Sequence, residues 1–426
     1  MHKRYYPQLD ETLCSTTLPN GLKVLVVPKS GFTKKMAYFV TDFGAVHTAF
    51  TLEGQHYDLP AGIAHYLEHK LFDLPGRDVT GEFAAMGAAV NAFTSYDMTA
   101  YYFSCTQNFS DCLRLLLEFV STPYFTEESV EKERGIIDQE IGMNADDPNT
   151  RVFENMTEAM FRHPIRQPIL GSSETIRCIT PQLLTLCHQA FYNPANMILC
   201  VTGDVGPEEV CRIARQVLGD EKRPMGIKDP FPAEEMAVLS PLVKTEMDIA
   251  MPMFNLGFKC EALHKGLEAI CWEITGDLAA EVLFGEASNL YLQLYGDGLI
   301  DSSFGGGFET IDGCALLNCG GDSDHPEAVR DAILAEAERI VREGVEETMF
   351  LRLKRSAMGR RIRDLDSFDS TCFRLCAYEM TDFDYFRFPE IYNRITPAQV
   401  QEFLGRVVVA QRSSLSIIDT LKEENL

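Results

Sequence analysis

The sequence lacks any run of apolar residues that approaches the about 20 residues a membrane-spanning helix needs. The basic residues near the N-terminus are not followed by the apolar segment of a secretory signal. A CxxC pair is also missing, and the 13 cysteines are odd in number and scattered, which does not fit a disulfide framework. Together these absences predict a protein of the reducing cytoplasm whose thiols are packed rather than paired.

Positive charge is scarce as well. The chain has 38 lysines and arginines against 63 aspartates and glutamates, which gives a formal net charge of −25. Nucleic acids and anionic membranes are therefore disfavoured as partners. The acidic balance fits solubility alone, or a surface that prefers basic peptides, because net charge does not tell where the charges lie.

The length of 426 residues exceeds the about 250–300 residues that one hydrophobic core usually supports, so at least two domains are expected. Two landmarks recur along the chain at nearly the same offset. Residues 91–105 and 307–319 both read as strand, turn and strand, followed by an amphipathic helix. Ile-Thr-Pro at 179–181 and again at 395–397 opens a helix that leads into an apolar strand, with Thr as N-cap and Pro at the first helical position.

This repetition predicts an α+β fold with two homologous domains, each a mainly antiparallel sheet packed with helices. A stretch rich in proline and charge separates the two halves and reads as a linker. The predicted boundaries are 1–220 for the N-terminal domain, 221–245 for the linker and 246–426 for the C-terminal domain.

The stretch GIAHYLEHKLF places His65 and His69 four residues apart, which puts both imidazoles on one face of a helix. Two neutral imidazoles so placed bind one Zn²⁺ at ~2.0–2.1 Å each. Glu68 reaches the same face and is not needed as a ligand, so it is a candidate general base that takes a proton from a metal-bound water.

A hydrolytic zinc site usually has three protein ligands, and the helical stretch ERGIIDQE offers candidates for the third. Glu133 and Glu140 lie two turns apart on one helix face. One of them would bind the metal, and the other would hydrogen-bond a ligating histidine. The spacing alone leaves open which carboxylate does which.

The competing interpretation of HYLEH is an ordinary helix whose histidines are solvated or buried in a plain α+β protein. The apolar residues Ile63, Ala64, Leu67 and Leu71 predict that this helix packs into a core. Two imidazoles and a carboxylate at a buried edge are costly without a partner, and a metal ion removes that cost.

The second half of the chain offers an internal comparison. Shifting the two histidines by the repeat offset gives Ala280 and Phe284, and the place of Glu140 falls near Arg355 in a basic run. The C-terminal domain is therefore predicted to keep the scaffold and to lack the metal site.

HYLEH is the inverted zinc motif HxxEH. With the glutamate pair and the two homologous halves, the chain resembles the insulysin–pitrilysin family of zinc peptidases, which includes the mitochondrial processing peptidases. Further stretches that carry the resemblance are AAVNAFTSYDMTAYYFSC, HPIRQPILGSSETIRCIT and YNPANMILCVTGDV. The resemblance implies the metalloenzyme LuxS/peptidase-like fold, forming half of a clam-shell chamber. The chain is similar to the short, bacterial-type members, such as those associated with elongation factor P aminopentanol modification, which form dimers.

The resemblance also implies roles for individual residues. The implied Zn²⁺ ligands are His65, His69 and Glu140, with Glu68 as the base and Glu133 as the acid behind a ligand. The strand that is implied to bind a substrate peptide as an added strand comprises Asn91, Ala92, Phe93 and Thr94. A plain sheet edge is the alternative for that strand.

One segment departs from the family pattern. Active members present an arginine and a tyrosine from the second domain, which bind the substrate carbonyl and the developing oxyanion. In SNLYLQLYGDGLIDSSFGGGF those positions hold Asn289 and Asp301, while Tyr291 and Tyr295 are expected to pack on a helix. We therefore expect a paralogous subunit to supply the missing pair, with a homodimer as the other arrangement.

The leading interpretation is a zinc-dependent metalloendopeptidase, or the catalytic subunit of a heterodimeric one, which hydrolyses peptides or unfolded segments in a closed chamber. The alternative is a subunit that retains zinc without peptidase activity and serves as a scaffold or peptide-binding module.

Overall fold

The computed structural model describes residues 1–262 and 265–421. None of the helices within those ranges is long and apolar enough to cross a membrane. The strands are β1 (His2–Tyr6), β2 (Glu11–Thr17), β3 (Lys23–Pro28), β4 (Lys35–Thr41), β5 (Ala49–Leu52), β6 (Gln55–Asp58), β7 (Asp73–Leu74), β8 (Arg77–Asp78), β9 (Ala88–Thr94), β10 (Thr99–Cys105), β11 (Met197–Gly203), β12 (Ile227–Lys228), β13 (Leu242–Met247), β14 (Met253–Cys260), β15 (Gly305–Ile311), β16 (Cys314–Asp322) and β17 (Ser413–Thr420). The helices are α1 (Ile63–Leu71), α2 (Val79–Ala85), α3 (Phe109–Ser121), α4 (Glu127–Ala145), α5 (Pro148–Met160), α6 (Ser173–Ile176), α7 (Pro181–Phe191), α8 (Pro207–Leu218), α9 (Leu267–Phe284), α10 (Asn289–Gly296), α11 (Pro326–Glu343), α12 (Glu347–Arg363), α13 (Phe368–Met380), α14 (Phe388–Arg394) and α15 (Pro397–Val407).

Unit 1 is a compact body made of Met1–Ile141, Pro168–Pro230 and Arg361–Phe386. Its main sheet has the order β1-β2-β3-β11-β4-β10-β9, in which β11 runs parallel to β3 and the other neighbours are antiparallel. All of β11 is buried, which is expected where helices cover both faces of a sheet. The strand β9 lies at one edge.

Unit 2 comprises residues 142–167, 231–262, 265–360 and 387–421 among those that the structure describes. Its sheet has the order β13-β17-β14-β16-β15, again with one parallel pair, β13 and β17, followed by antiparallel neighbours. The order β3-β11-β4-β10-β9 of unit 1 has the same pattern. The predicted α+β fold with two homologous domains, each a mainly antiparallel sheet packed with helices, is confirmed.

The landmarks of the repeat are also in place. Oγ1 of Thr180 accepts a hydrogen bond from the backbone N–H of Leu183 at 3.2 Å. Oγ1 of Thr396 accepts one from the backbone N–H of Gln399, and Oε1 of Gln399 in turn accepts one from the backbone N–H of Thr396. Both prolines occupy the first turn, so the two helix starts read from the sequence are confirmed.

Each unit contains one helix that comes from the other half of the sequence. In unit 2, α5 packs on β14 and β17, while in unit 1, α13 packs on β4 and β11. Such an exchange leaves no mark in local sequence patterns, because each helix is amphipathic whichever sheet it covers. The boundaries at 1–220, 221–245 and 246–426 stay a prediction.

Candidate metal centre

Helix α1 carries HYLEH, and its geometry begins at Gly62. The φ angle of Gly62 is 91°, and a Cβ atom there would lie 2.3 Å from the carbonyl oxygen of Leu170, so only glycine fits without strain. The apolar residues of α1 that were predicted to pack into a core are all buried: Ile63, Ala64, Leu67 and Leu71. The opposite face of α1 carries His65, Glu68 and His69.

Three side chains converge above α1. One ligand atom from each of His65, His69 and Glu140 lies within 4.8 Å of the others. The Nε2 atoms of both imidazoles are 3.7 Å from Oε2 of Glu140, which is too long for a hydrogen bond. Helix α4 brings Glu140 to this place, so the arrangement depends on how α4 lies against α1.

Glu133 stands behind one of the imidazoles. Its Oε1 lies 2.9 Å from Nδ1 of His69, and because an ionised carboxylate only accepts hydrogen bonds, the imidazole proton is on Nδ1. In the neutral imidazole the lone pair is then on Nε2, the nitrogen that faces Oε2 of Glu140. The tertiary structure thus distinguishes the two carboxylates that the spacing left equivalent: Glu140 lies among the ligand atoms, and Glu133 orients His69.

The pKa values of the two imidazoles are shifted in opposite directions. Burial, and then the neighbouring His69, lower the pKa of His65 to about 3, so His65 is neutral at physiological pH. Burial also acts to lower the pKa of His69, but the hydrogen bond to Glu133 and the charges of Glu68, Glu133 and Glu140 outweigh it, and the pKa is raised. A neutral imidazole is the form that binds a metal.

The candidate base is Glu68. Its Oε2 accepts a hydrogen bond of 2.7 Å from Oγ1 of Thr94. Burial raises the pKa of Glu68 and outweighs the hydrogen bond from Thr94 and the charge of His69. A carboxylate whose pKa is raised toward neutral pH is a better proton acceptor in catalysis.

The donor set fits a zinc ion. Two imidazole nitrogens and a carboxylate oxygen are ligand types that zinc prefers, and three protein ligands leave the fourth position of a catalytic zinc ion open. Nε2 of His65, a buried residue, faces Oε2 of Glu140 at a distance too long for a hydrogen bond. A buried polar atom without a partner is costly, and a divalent cation held by the three groups would bind this nitrogen.

The strand predicted to bind substrate, β9, pairs with β10 and is the edge of its sheet. Asn91 is exposed, and the next three residues are half-buried. From the sequence, Thr94 was placed on this strand without any link to Glu68. No signal in the spacing points to their hydrogen bond, because it joins a strand end to a helix 26 residues away.

The segment that departs from the family pattern starts α10 of unit 2. Asn289 and Asp301 are both exposed. Asp301 accepts hydrogen bonds from the backbone N–H and the hydroxyl of Ser303, so it organises a turn. Tyr291 is buried as expected and stacks on Tyr295, with ring centroids 5.9 Å apart, but Tyr295 itself is more than half exposed.

Helix α12, which begins in unit 2, corresponds to α4 of unit 1. In unit 1 Arg134 donates to the carbonyl oxygen of Ile179, and in unit 2 Lys354 donates to that of Ile395, which aligns the two helices. The position of Glu140 then falls on Arg360 rather than near Arg355. The register differs because α11 has 18 residues and α3 only 13.

Arg360 forms an ion pair with Glu281 of α9. The positions compared with the histidines, Ala280 and Phe284, are buried on the same helix. Among the described residues, no group of three potential metal ligands is made of unit 2 residues alone.

Substituting Glu133→Ala is expected to weaken zinc binding about 10- to 100-fold, because His69 loses the partner that fixes its ring and its tautomer. The zinc dissociation constant, measured by competition with a chelator, tests this. Glu131→Ala is the matched control, since Glu131 lies on the same helix and its side chain is exposed. Equal affinities of the two variants would contradict the role of Glu133.

Comparison with known proteins gives a consistent set of similarities. Residues 53–173 match the family profile described as Insulinase (Peptidase family M16), and residues 179–357 match the profile described as Peptidase M16 inactive domain. YmfH of Bacillus subtilis, named an uncharacterized zinc protease, is 36% identical over 419 residues, which are 96% of this chain and 96% of that protein. A zinc protease of Mycobacterium tuberculosis, also uncharacterized, is 30% identical over 48% of this chain and 46% of its own length.

Solved structures are similar over the same extent. An M16-like peptidase from Alicyclobacillus acidocaldarius has a TM-score of 0.92 and 30% identity, covering 96% of this chain and 99% of that one. A protease from Helicobacter pylori has a TM-score of 0.82 and 19% identity over 96% and 99%. The second likeness shows the fold alone.

Proposed function

Since the chain belongs to the insulinase family of peptidases, peptidase family M16, we propose that it is a zinc-dependent metalloendopeptidase, or the catalytic subunit of a heterodimeric one, that acts on peptides or unfolded segments. The observation that carries the proposal is the convergence of His65, His69 and Glu140 with Glu68 beside them. Two relatives, one similar over almost the whole chain and one over about half of it, are named zinc proteases.

In this proposal His65, His69 and Glu140 hold the zinc ion. A bound zinc ion polarises a peptide carbonyl and lowers the pKa of a water ligand. Glu68 takes the proton of the attacking water on Oε1, because Oε2 is engaged by Thr94. It then gives that proton to the leaving amine, as general acid–base catalysis requires.

Substrate is proposed to bind along β9. The outer edge of this strand presents backbone N–H and C=O groups to an extended peptide, and Asn91, Ala92, Phe93 and Thr94 lie along it. An added strand is held by main-chain hydrogen bonds, which accept many sequences. Such binding suits a peptidase that acts on unfolded segments.

A second candidate function follows from Asn289 and Asp301, which offer no cation or phenol for an oxyanion. It is a subunit that retains zinc without peptidase activity and serves as a scaffold or peptide-binding module. The first candidate requires a paralogous subunit that supplies the arginine and the tyrosine, and a homodimer stays the other predicted arrangement. The cytoplasmic location, the closed chamber and the place among short bacterial-type members stay predictions.

A quenched-fluorescence peptide library separates the two candidates. We expect cleavage by the wild-type protein when a paralogue with the Arg and Tyr pair and no HxxEH motif is added, and little or none by the chain alone. The same mixtures with Glu68→Gln should be inactive. An absence of cleavage in every combination would refute the peptidase and leave the scaffold.

A further inference from the structure

Helices α1 and α4 are joined by two hydrogen bonds that end on main-chain carbonyls. Nζ of Lys70 donates to the carbonyl oxygen of Ser129 at 3.3 Å, and the hydroxyl of Tyr66 donates to that of Val130. Both acceptors belong to the first turn of α4. Nζ of Lys70 also donates to Oδ2 of Asp73 at 2.5 Å.

Lys70 is unusual because its side chain has no exposed surface. Burying an ammonium group is costly, and replacing a buried ion pair by apolar residues is often neutral for stability. Folding of α1 onto its core therefore does not require a lysine at this position.

The two hydrogen bonds are made by residues that neighbour the proposed metal ligands in the chain. Tyr66 and Lys70 directly follow the two histidines, and their acceptors lie one turn before Glu133, which bonds His69. A slip of one residue along a helix moves a side chain by about 1.5 Å and about 100°. Metal–ligand distances tolerate only about 0.2 Å, so the register of α1 against α4 has to be fixed before Glu140 meets the imidazoles.

We propose that Lys70 and Tyr66 are positioning residues for the metal centre. They fix α1 against the first turn of α4 through main-chain oxygens and thereby hold His65 and His69 opposite Glu140 before a metal ion binds. Main-chain acceptors suit this role, since they move only with the helix itself, whereas a side-chain acceptor can change rotamer. This inference rests on the proposed zinc centre.

The test compares zinc binding and folding in full-length variants. Lys70→Met removes the ammonium and keeps an unbranched side chain, and Asp73, about half exposed, stays solvated. Tyr66→Phe removes one hydroxyl. The matched control is Lys259→Met in unit 2, where another lysine with no exposed side-chain surface donates to Oε1 of Glu234 at 2.7 Å and to the carbonyl of Glu235 at 3.0 Å.

We expect Lys70→Met to raise the zinc dissociation constant about tenfold or more, and Tyr66→Phe to raise it by a smaller factor. The absorption of bound Co²⁺, which reports ligand geometry, should change in both. Lys259→Met should lower the melting temperature while leaving zinc affinity and the Co²⁺ spectrum unchanged. A merely structural role of Lys70 predicts the same pattern for Lys70→Met.

Wild-type zinc affinity and an unaltered Co²⁺ spectrum in both Lys70→Met and Tyr66→Phe would overturn the proposal, as would an equal loss of affinity in Lys259→Met. If Lys70→Met does not fold, Tyr66→Phe decides. Failure of the wild-type protein to bind zinc would instead refute the zinc centre, and the positioning role with it.

Discussion

Glu68→Gln is expected to slow peptide hydrolysis by a factor of about 10²–10⁴ while the protein keeps about one zinc ion per chain. The amide has nearly the same shape as the carboxylate, so the hydrogen bond from Oγ1 of Thr94 can persist. The amide, unlike the carboxylate, cannot take up a proton at neutral pH. The substitution therefore removes proton transfer and leaves the three ligands in place.

The measurement is the cleavage rate of a quenched peptide, together with the zinc content of the same preparation. Because the site is proposed to need an arginine and a tyrosine from another chain, the assay is made with the paralogous subunit present. Glu82→Gln is the control, since Glu82 is a partly exposed glutamate of unit 1 that pairs with Arg77. Cleavage at the wild-type rate by Glu68→Gln would show that another group is the base.

His65→Ala and His69→Ala are each expected to lower the zinc content from about one ion per chain to near zero and to abolish cleavage. Each substitution removes one of three ligands. The remaining imidazole and carboxylate are fewer than the three protein ligands that a catalytic zinc site usually has. The apolar side of α1 is untouched, so the fold should persist. Far-UV circular dichroism checks this.

Metal analysis of dialysed protein gives the result directly. His56→Ala is the matched control, because His56 is an exposed histidine of unit 1 that lies beside Asp58. Zinc retained at the wild-type level in both site variants would show that the assignment of the metal centre is wrong. A loss of zinc in His56→Ala as well would indicate a general loss of structure.

The two experiments separate the layers of the proposal. Loss of zinc in the histidine variants with no cleavage by any mixture supports the scaffold and not the peptidase. Cleavage that is lost in Glu68→Gln while zinc remains supports the peptidase with Glu68 as base. The histidine variants thus test the metal ligands, and the Glu68 variant tests the candidate base.

Much of the site was accessible from the sequence because its key spacing is local. Residues four apart on an α-helix share a face, so His65 and His69 were paired before any tertiary information. The apolar residues around them predicted that α1 is buried on its other side, and this is confirmed. The repeat in the chain predicted two α+β domains, which the two sheets show.

Contacts between distant segments were not accessible. The spacing of Glu133 and Glu140 put both on one face, and only the packing of α4 on α1 places one beside the two Nε2 atoms and the other at Nδ1 of His69. Comparison of the two halves of the sequence aligned Glu140 with a position near Arg355, but the longer α11 shifts the equivalent position to Arg360. Such shifts accumulate from the lengths of elements, which local patterns do not fix to the residue.

The sequence by itself determined that this protein repeats one α+β unit, that its first copy carries two imidazoles and a carboxylate on one helix face, and that its second copy lacks them. These features follow from helical periodicity and residue chemistry, which act over a few residues. The resemblance implied Glu140 as a ligand, and the tertiary structure brings its carboxylate to the two imidazoles. Only the tertiary structure decided that Thr94 holds Glu68 and that α5 and α13 each join the unit of the other half. These depend on which surfaces pack together, and packing is set by the whole core rather than by any short stretch of chain.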